Sequence, residues 1–415
     1  MSKTSLLCLV LASALAACGK NDTPTITSHA YGHSDNDKRD TTNFVNVYPK
    51  TVGTRLDSCQ TCHKPFDFTS KDSKGSVKHN TKSACDYCHL INRPDMQDDG
   101  VTPFVYDQPQ PTRTTDTLNA FGLAYMQAGR TQQALRDVAG QDGDADTYSN
   151  ADEIAANRYP GDATSNPSLP FAPKMIVTVA DVKAMTPTHT EFLLANSSKQ
   201  QYDYYATYKG LKIRDLLAAV GVNPDDSAIT SVTIIAPDSF ASDYPTKATS
   251  SSKQYWFNEP FPNGLYYGGL STSDLGTTCG FVTYPNSLPA GLTQGGEVPG
   301  EQWLMLGYER DGTALDQANM DPTTLRLNGE GPLRLIVPQR TAGSPDRGSQ
   351  YPAASCTDGY AFNNSKDHNA GAMIRGVIAI RINPMPAGFE EFDYLNGGYD
   401  YLAAGQLIIY GYGIQ

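Results

Sequence analysis

Two short runs carry most of the chemical information in this sequence: Cys59-Gln60-Thr61-Cys62-His63 and Cys85-Asp86-Tyr87-Cys88-His89. Both have the form C-x-x-C-H, the attachment pattern of c-type haem. Thiols at that spacing can add across the two vinyl groups on one porphyrin edge, and the histidine that follows is held at the iron as an axial ligand. The pattern predicts thioether bonds at Cys59, Cys62, Cys85 and Cys88, with His63 and His89 as proximal ligands. Other chemistries also use paired cysteines. A zinc site can be built from two C-x-x-C pairs. A redox dithiol belongs in a βαβ setting that this region lacks, and structural disulfides would leave both histidines without a role. Two copies of the full five-residue pattern favour covalent haem over all of these.

Bis-histidine iron needs two further ligands. The remaining histidines are His29, His33, His79, His189 and His368. His79 lies between the two motifs, so His79 and His33 are the expected distal ligands, with His29 as the alternative. Met96 is another option and would raise the reduction potential. A histidine as early as these could also reach a neighbouring copy of the chain. His189 and His368 lie far downstream and read as surface or hydrogen-bonded side chains.

A second constellation follows: Asp142-Gly143-Asp144-Ala145-Asp146-Thr147-Tyr148-Ser149-Asn150-Ala151-Asp152-Glu153. It matches the calcium-loop template at positions 1, 3, 5 and 12. Asp142, Asp144 and Asp146 would give side-chain oxygens, Tyr148 its carbonyl, Asn150 a direct or water-bridged contact, and Glu153 a bidentate clamp. Thr147 stands where the template has glycine, at a cost in backbone strain. The competing reading is an acidic surface loop capping a helix. Three aspartates at alternate positions repel one another, which favours a cation.

The elements that must position these groups are unevenly distributed. The opening MSKTSLLCLVLASALAACGK reads as an export signal, with Lys3, a short apolar run and small residues. Leu15-Ala16-Ala17-Cys18 resembles a bacterial lipobox, which implies lipidation at Cys18 and, with Gly19 next, an outer-membrane address facing periplasm or exterior. Residues up to about 50 lack apolar periodicity and read as a stalk. Few large apolar residues follow, so the haems are expected to serve as the core of residues 41–110. Residues 117–138 read as helix, broken near Gly129, and 151–158 as another. From about 172 the chain becomes alternating and β-branched. Strands are expected over 175–179, 232–235, 304–308, 333–337, 374–382 and 407–410, and a helix over 213–220 ending at Gly221. The net charge of −12 over 415 residues excludes the basic footprint of a nucleic-acid binder.

Three phrases, YKGLKIRDLLAAVGV (208–222), RDGTAL (310–315) and GPLRLIVP (331–338), resemble the sulfite-oxidase-type molybdopterin domain. The resemblance spans roughly 172–385. In that family a cysteine that ligates molybdenum precedes the helix placed here at 213. No cysteine occurs between 172 and 207, so the resemblance implies the scaffold without the cofactor. Cys279 and Cys356 come later and are expected to pair as a disulfide, with two separate thiols as the alternative. Gly329-Glu330-Gly331-Pro332, taken with the haem motifs, the acidic loop and the phrase RYPGD, resembles the GEGP-motif diheme proteins. That resemblance implies a c-type cytochrome with an appended molybdopterin-like domain. Glu330 would be a ligand, an ion pair or part of a turn.

The resulting expectation is an α+β protein in five parts: a lipoprotein signal at 1–17, a tether at 18–40, a diheme segment at 41–110, a helical segment with a calcium-type loop at 111–170, and a large, mostly antiparallel β-rich domain of sulfite-oxidase-like type at 171–415. Its cofactors would be two haem c groups and calcium, with molybdopterin not expected. It would be lipid-anchored and would pass single electrons between redox protein partners rather than catalyse a reaction. Alternatives are a subunit that assembles with copies of itself into a cytochrome filament, and a pterin-type oxidoreductase feeding the haems.

Overall fold

The computed structural model describes residues 38–64, 66–71, 77–82, 113–198, 203–237, 240–248, 254–268, 289–320, 327–346, 349, 361–391 and 405–414. The chain forms two compact units, which divide between Ser168 and Leu169. It is a mixed α+β protein with few helices. Among the described residues no helix is long and apolar enough to cross a membrane.

The first unit opens with helix α1 (Lys38–Val47), followed by 3-10 turns at Pro49–Thr51 and Cys59–Thr61. Strands β1 (Phe66–Lys71) and β2 (Val77–Lys82) form an antiparallel pair. A 3-10 turn at Thr114–Thr117 leads into α2 (Ala120–Gln127), and α3 (Gln132–Val138) and α4 (Asn150–Ala155) follow. Each of these three helices starts on a side-chain cap: Asn119 accepts from Gly122 N, Thr131 from Ala134 N and Ser149 from Asp152 N. The chain breaks between α2 and α3 at Gly129 and Arg130, both with positive φ. The Arg130 guanidinium pairs there with Asp40 of α1.

This arrangement differs from the expected stalk and haem-only core. Phe44 and Leu56 are buried in one cluster with Phe121, Tyr125, Leu135, Val138, Ile154 and Tyr159. Residues 40–64 therefore share a protein core with 113–168. The few apolar groups of the early stretch suffice because downstream helices supply the other half. Each large side chain so buried contributes about 1.5–3 kcal/mol.

The second unit contains two five-stranded sheets. Its elements in order are β3 (Lys174–Thr178), α5 (Val179–Ala184), β4 (His189–Ala195), β5 (Tyr204–Lys212), α6 (Ile213–Ala219), β6 (Ser231–Ile235), β7 (Ala241–Pro245), β8 (Met305–Arg310), β9 (Thr313–Ala314), β10 (Asn319–Met320), β11 (Leu327–Asn328), β12 (Arg334–Ile336), β13 (Ala379–Asn383) and β14 (Gln406–Gly411). One sheet, ordered β12-β8-β5-β4 with β9 on β8, is antiparallel throughout and curls into a half-barrel. The other, β3-β14-β13-β6-β7, holds one parallel pair, β13 with β14. Strand alternation sorts its side chains by face. Ile234, Ile380 and Ile409 enter the main core with α6 and the half-barrel, while Ile235, Ala379, Ile408 and Tyr410 fill a smaller cluster on the other face.

Candidate functional site

The first haem motif is wound into a single turn. Cys62 N–H and His63 N–H both donate to Cys59 O, at 3.1 and 2.9 Å. That turn gathers Cys59, Cys62 and His63 within about one helical repeat, as thioether attachment next to an axial ligand requires. Both thiols are half-buried. Burial, with Asp40 nearby, pushes the Cys62 thiol up to about 12, so it is a neutral thiol rather than a reactive thiolate.

The turn is held from the far side of the sequence. Asn119 N–H donates to Cys62 O at 3.0 Å, and its side-chain NH2 donates to Gln60 O and Thr61 O at 3.0 and 3.1 Å. The same side chain caps α2 through its oxygen. Gly122 sits so close that a Cβ there would lie 2.1 Å from Cys62 O, so only glycine fits. His63 forms a backbone bridge with Leu118, and its Nδ1 lies 2.8 Å from the Thr117 hydroxyl. With Nδ1–H donating to Thr117, Nε2 carries the lone pair that an iron ligand needs. A cleft of about 280 Å³ borders the histidine, lined by Gln60, His63, Lys64, Asn119, Gly161, Asp162 and Ala163. The turn brings Cys59, Cys62 and His63 together, and the cleft borders His63 but neither cysteine.

The other expected haem residues divide by position. Cys85, Cys88 and His89, and the expected distal ligands His29 and His33, lie outside the described residues, as do Met96, Cys18, Cys279 and Cys356. His79 lies on β2, opposite Thr69 of β1. In the second unit His189 Nε2 meets Glu191 at 3.2 Å, and His368 Nε2 meets Asp346 at 3.1 Å while its ring stacks on Phe362. Both are hydrogen-bonded, largely buried histidines.

The acidic loop lies between α3 and α4. Asp142, Asp144 and Asp146 each bring one oxygen to within 4.8 Å of the others. Asn150 and Glu153 are fully buried on α4. Burial, and then Asp144, Asp146 and Asp142, raise the Glu153 carboxyl to about 9. Burial, followed by Asp146 and Asp142, raises Asp144 to about 6. Both Asp144 oxygens, one of Asp146, the Asn150 amide oxygen and both Glu153 oxygens are buried with no hydrogen-bond partner. An unsatisfied buried polar atom costs about 1–3 kcal/mol. Six in one loop would cost as much as a typical domain's entire stability.

Glu330 is half-buried and paired with two guanidinium groups. Its Oε1 lies 2.7 Å from Arg310 Nη1 and 2.8 Å from Arg334 Nη1. Arg334 is buried beside the hydroxyls of Tyr204 and Tyr208, at 3.1 and 3.3 Å. Gly329 has φ +83, and a Cβ on Gly331 would lie 2.5 Å from Leu315 Cβ. The motif is a tight turn that delivers a carboxylate to two guanidinium groups.

Thr117, Asn119 and Gly122 did not stand out as functional in the sequence. Asn119 carried a usable signal, an Asn directly before an apolar helical run. Thr117 and Gly122 carried none, since their roles arise from contacts with residues more than fifty positions away. Neither a family model, nor a curated protein, nor a solved structure matches this chain.

Proposed function

We propose that this protein is an exported diheme c-type cytochrome, lipid-anchored through Cys18, that carries single electrons between protein partners at the cell envelope. The observation that supports it best is the Cys59–His63 turn, with both thiols beside a histidine whose Nδ1 is engaged by Thr117. A haem held there supplies a one-electron iron couple. Asn119 and Gly122 fix the turn, and Thr117 orients the imidazole. The second motif, Cys85, Cys88 and His89, supplies the other haem, with distal ligands from His79 and His33 or His29. The second unit is read as a sulfite-oxidase-like scaffold without molybdenum. The charges around Glu330 are paired with one another, the buried Arg334 among them, which agrees with a structural rather than a catalytic role for that motif.

Denaturing mass spectrometry of the mature chain tests this directly. The reading expects added mass equal to two haem groups retained through denaturation, and c-type bands in the reduced-minus-oxidised spectrum. A colourless chain of unmodified mass, or one carrying zinc, would overturn it.

A further inference from the structure

The acidic loop goes beyond electron carriage, and its atoms specify a ligand of their own. We propose that Asp142, Asp144, Asp146, Asn150 and Glu153, with the Tyr148 carbonyl, hold a divalent cation of the calcium class. The aspartate triad alone would be an ordinary acidic surface. The deciding observation is that Glu153 and Asn150, both 0% exposed, present unpartnered oxygens to the same loop. The Asn150 amide is fixed in orientation, because its nitrogen donates to Val138 O at 2.7 Å and leaves the oxygen as the inward-facing atom. That oxygen passes close to Gly143, where a Cβ would come within 3.1 Å of it.

The backbone is wound to the same end. Asp146 N–H and Thr147 N–H donate to the two Asp142 oxygens at 3.2 and 2.9 Å, and Tyr148 N–H donates to Asp146 at 2.9 Å. Ala145 and Thr147 both take positive φ, at 67° and 85°, to complete the curl. Among the described residues no lysine or arginine pairs with these carboxylates. A bound cation would neutralise these carboxylates and at the same time satisfy the unpartnered Glu153 and Asn150 oxygens. Every donor is oxygen, with no histidine or cysteine among them, which selects a hard cation over zinc or copper. An irregular loop ending in a two-oxygen glutamate suits calcium, which accepts six to eight ligands flexibly, better than magnesium, which demands a near-ideal octahedron.

The test uses the full mature chain, stripped with a chelator and titrated with calcium chloride, with magnesium chloride as a parallel arm. Heat of binding is one readout, and terbium luminescence sensitised by Tyr148 is the other. One site per chain is expected, at least tenfold tighter for calcium than for magnesium. Glu153→Gln should weaken binding at least tenfold. Asp144→Asn, at a half-buried side chain, should weaken it in a protein that folds even where the glutamate variant does not. No heat and no terbium signal up to about 10 mM, above the range of weak extracellular calcium modules, would overturn the assignment. So would equal affinity for magnesium, or affinity unchanged by Asp144→Asn. Because binding is read without any redox step, the result stands apart from the haem reading.

Discussion

At the scale of single residues, Thr117 and Thr147 separate a supporting role from a strained one. Thr117 Oγ1 lies 2.8 Å from His63 Nδ1; under the proposed haem ligation, Nδ1–H donating to it would strengthen the imidazole as a donor to ferric iron. Thr117→Val removes that acceptor while keeping the shape. A net hydrogen bond of about 0.5–1.5 kcal/mol corresponds to about 20–60 mV for one electron. If the proposed haems are present, one of their two potentials should rise by that amount in a spectroelectrochemical titration, with covalent attachment intact. Both potentials unchanged would remove Thr117 from this role. Thr147 is β-branched with φ 85°, a conformation that costs an L-residue roughly 1–2 kcal/mol and glycine nothing. Allowing for the extra freedom of glycine in the unfolded chain, Thr147→Gly should stabilise the first unit by about 0.5–1 kcal/mol in urea titration. A loss of stability would show that the hydroxyl or methyl makes up for the strain.

At the scale of elements, Asn119 is the joint between helix α2 and the Cys59–His63 turn. Asn119→Ala loses a helix cap, worth about 1 kcal/mol, and two buried donor contacts of about 1 kcal/mol each. The first unit should lose about 2–3 kcal/mol, and haem incorporation should fall with it. The GEGP turn makes a comparable prediction in the second unit. Glu330→Ala leaves Arg334 buried without its carboxylate, a change that costs about 3–5 kcal/mol and should be visible as a lower unfolding midpoint by tryptophan fluorescence. A midpoint unchanged from the parent would show that Tyr204 and Tyr208 suffice for the guanidinium. Much of this was readable in advance where periodicity is strong. Helix α6 and strands β3, β6, β8, β12 and β14 fall within a residue or two of expectation, and the break between α2 and α3 falls at the predicted glycine. Helix α1 was not readable, because its apolar face gains meaning only against residues about 80 positions later. Strands β4 and β5 were not expected, and the expected strand 374–382 begins only at Ala379. The acidic loop was legible as a motif, but the burial of Asn150 and Glu153 was not.

At the scale of the whole molecule, both tryptophans, Trp256 and Trp303, belong to the second unit, so their emission reports on that unit alone. Trp303 N–H donates to the fully buried Glu191 at 2.8 Å. Burial holds the Glu191 carboxyl above its ordinary 4.5, opposed by His189, the Trp303 amide and Lys212. Folding therefore keeps a proton that the unfolded chain would release. The stabilisation is complete below about 4.5 and declines as pH rises toward the folded value. Glu191→Gln should flatten that decline in fluorescence-monitored unfolding, whereas an unaltered slope would assign it to other groups. One feature of the first unit reaches furthest. Lys64 N–H donates to Thr117 O at 2.9 Å, and His63 bridges Leu118. Residues 63–64 and 117–118 are thus held side by side, and the second cysteine pair is encoded between them. A single proteolytic nick between these positions would leave both fragments moored to each other beside the same histidine. The severed halves should migrate together until denatured.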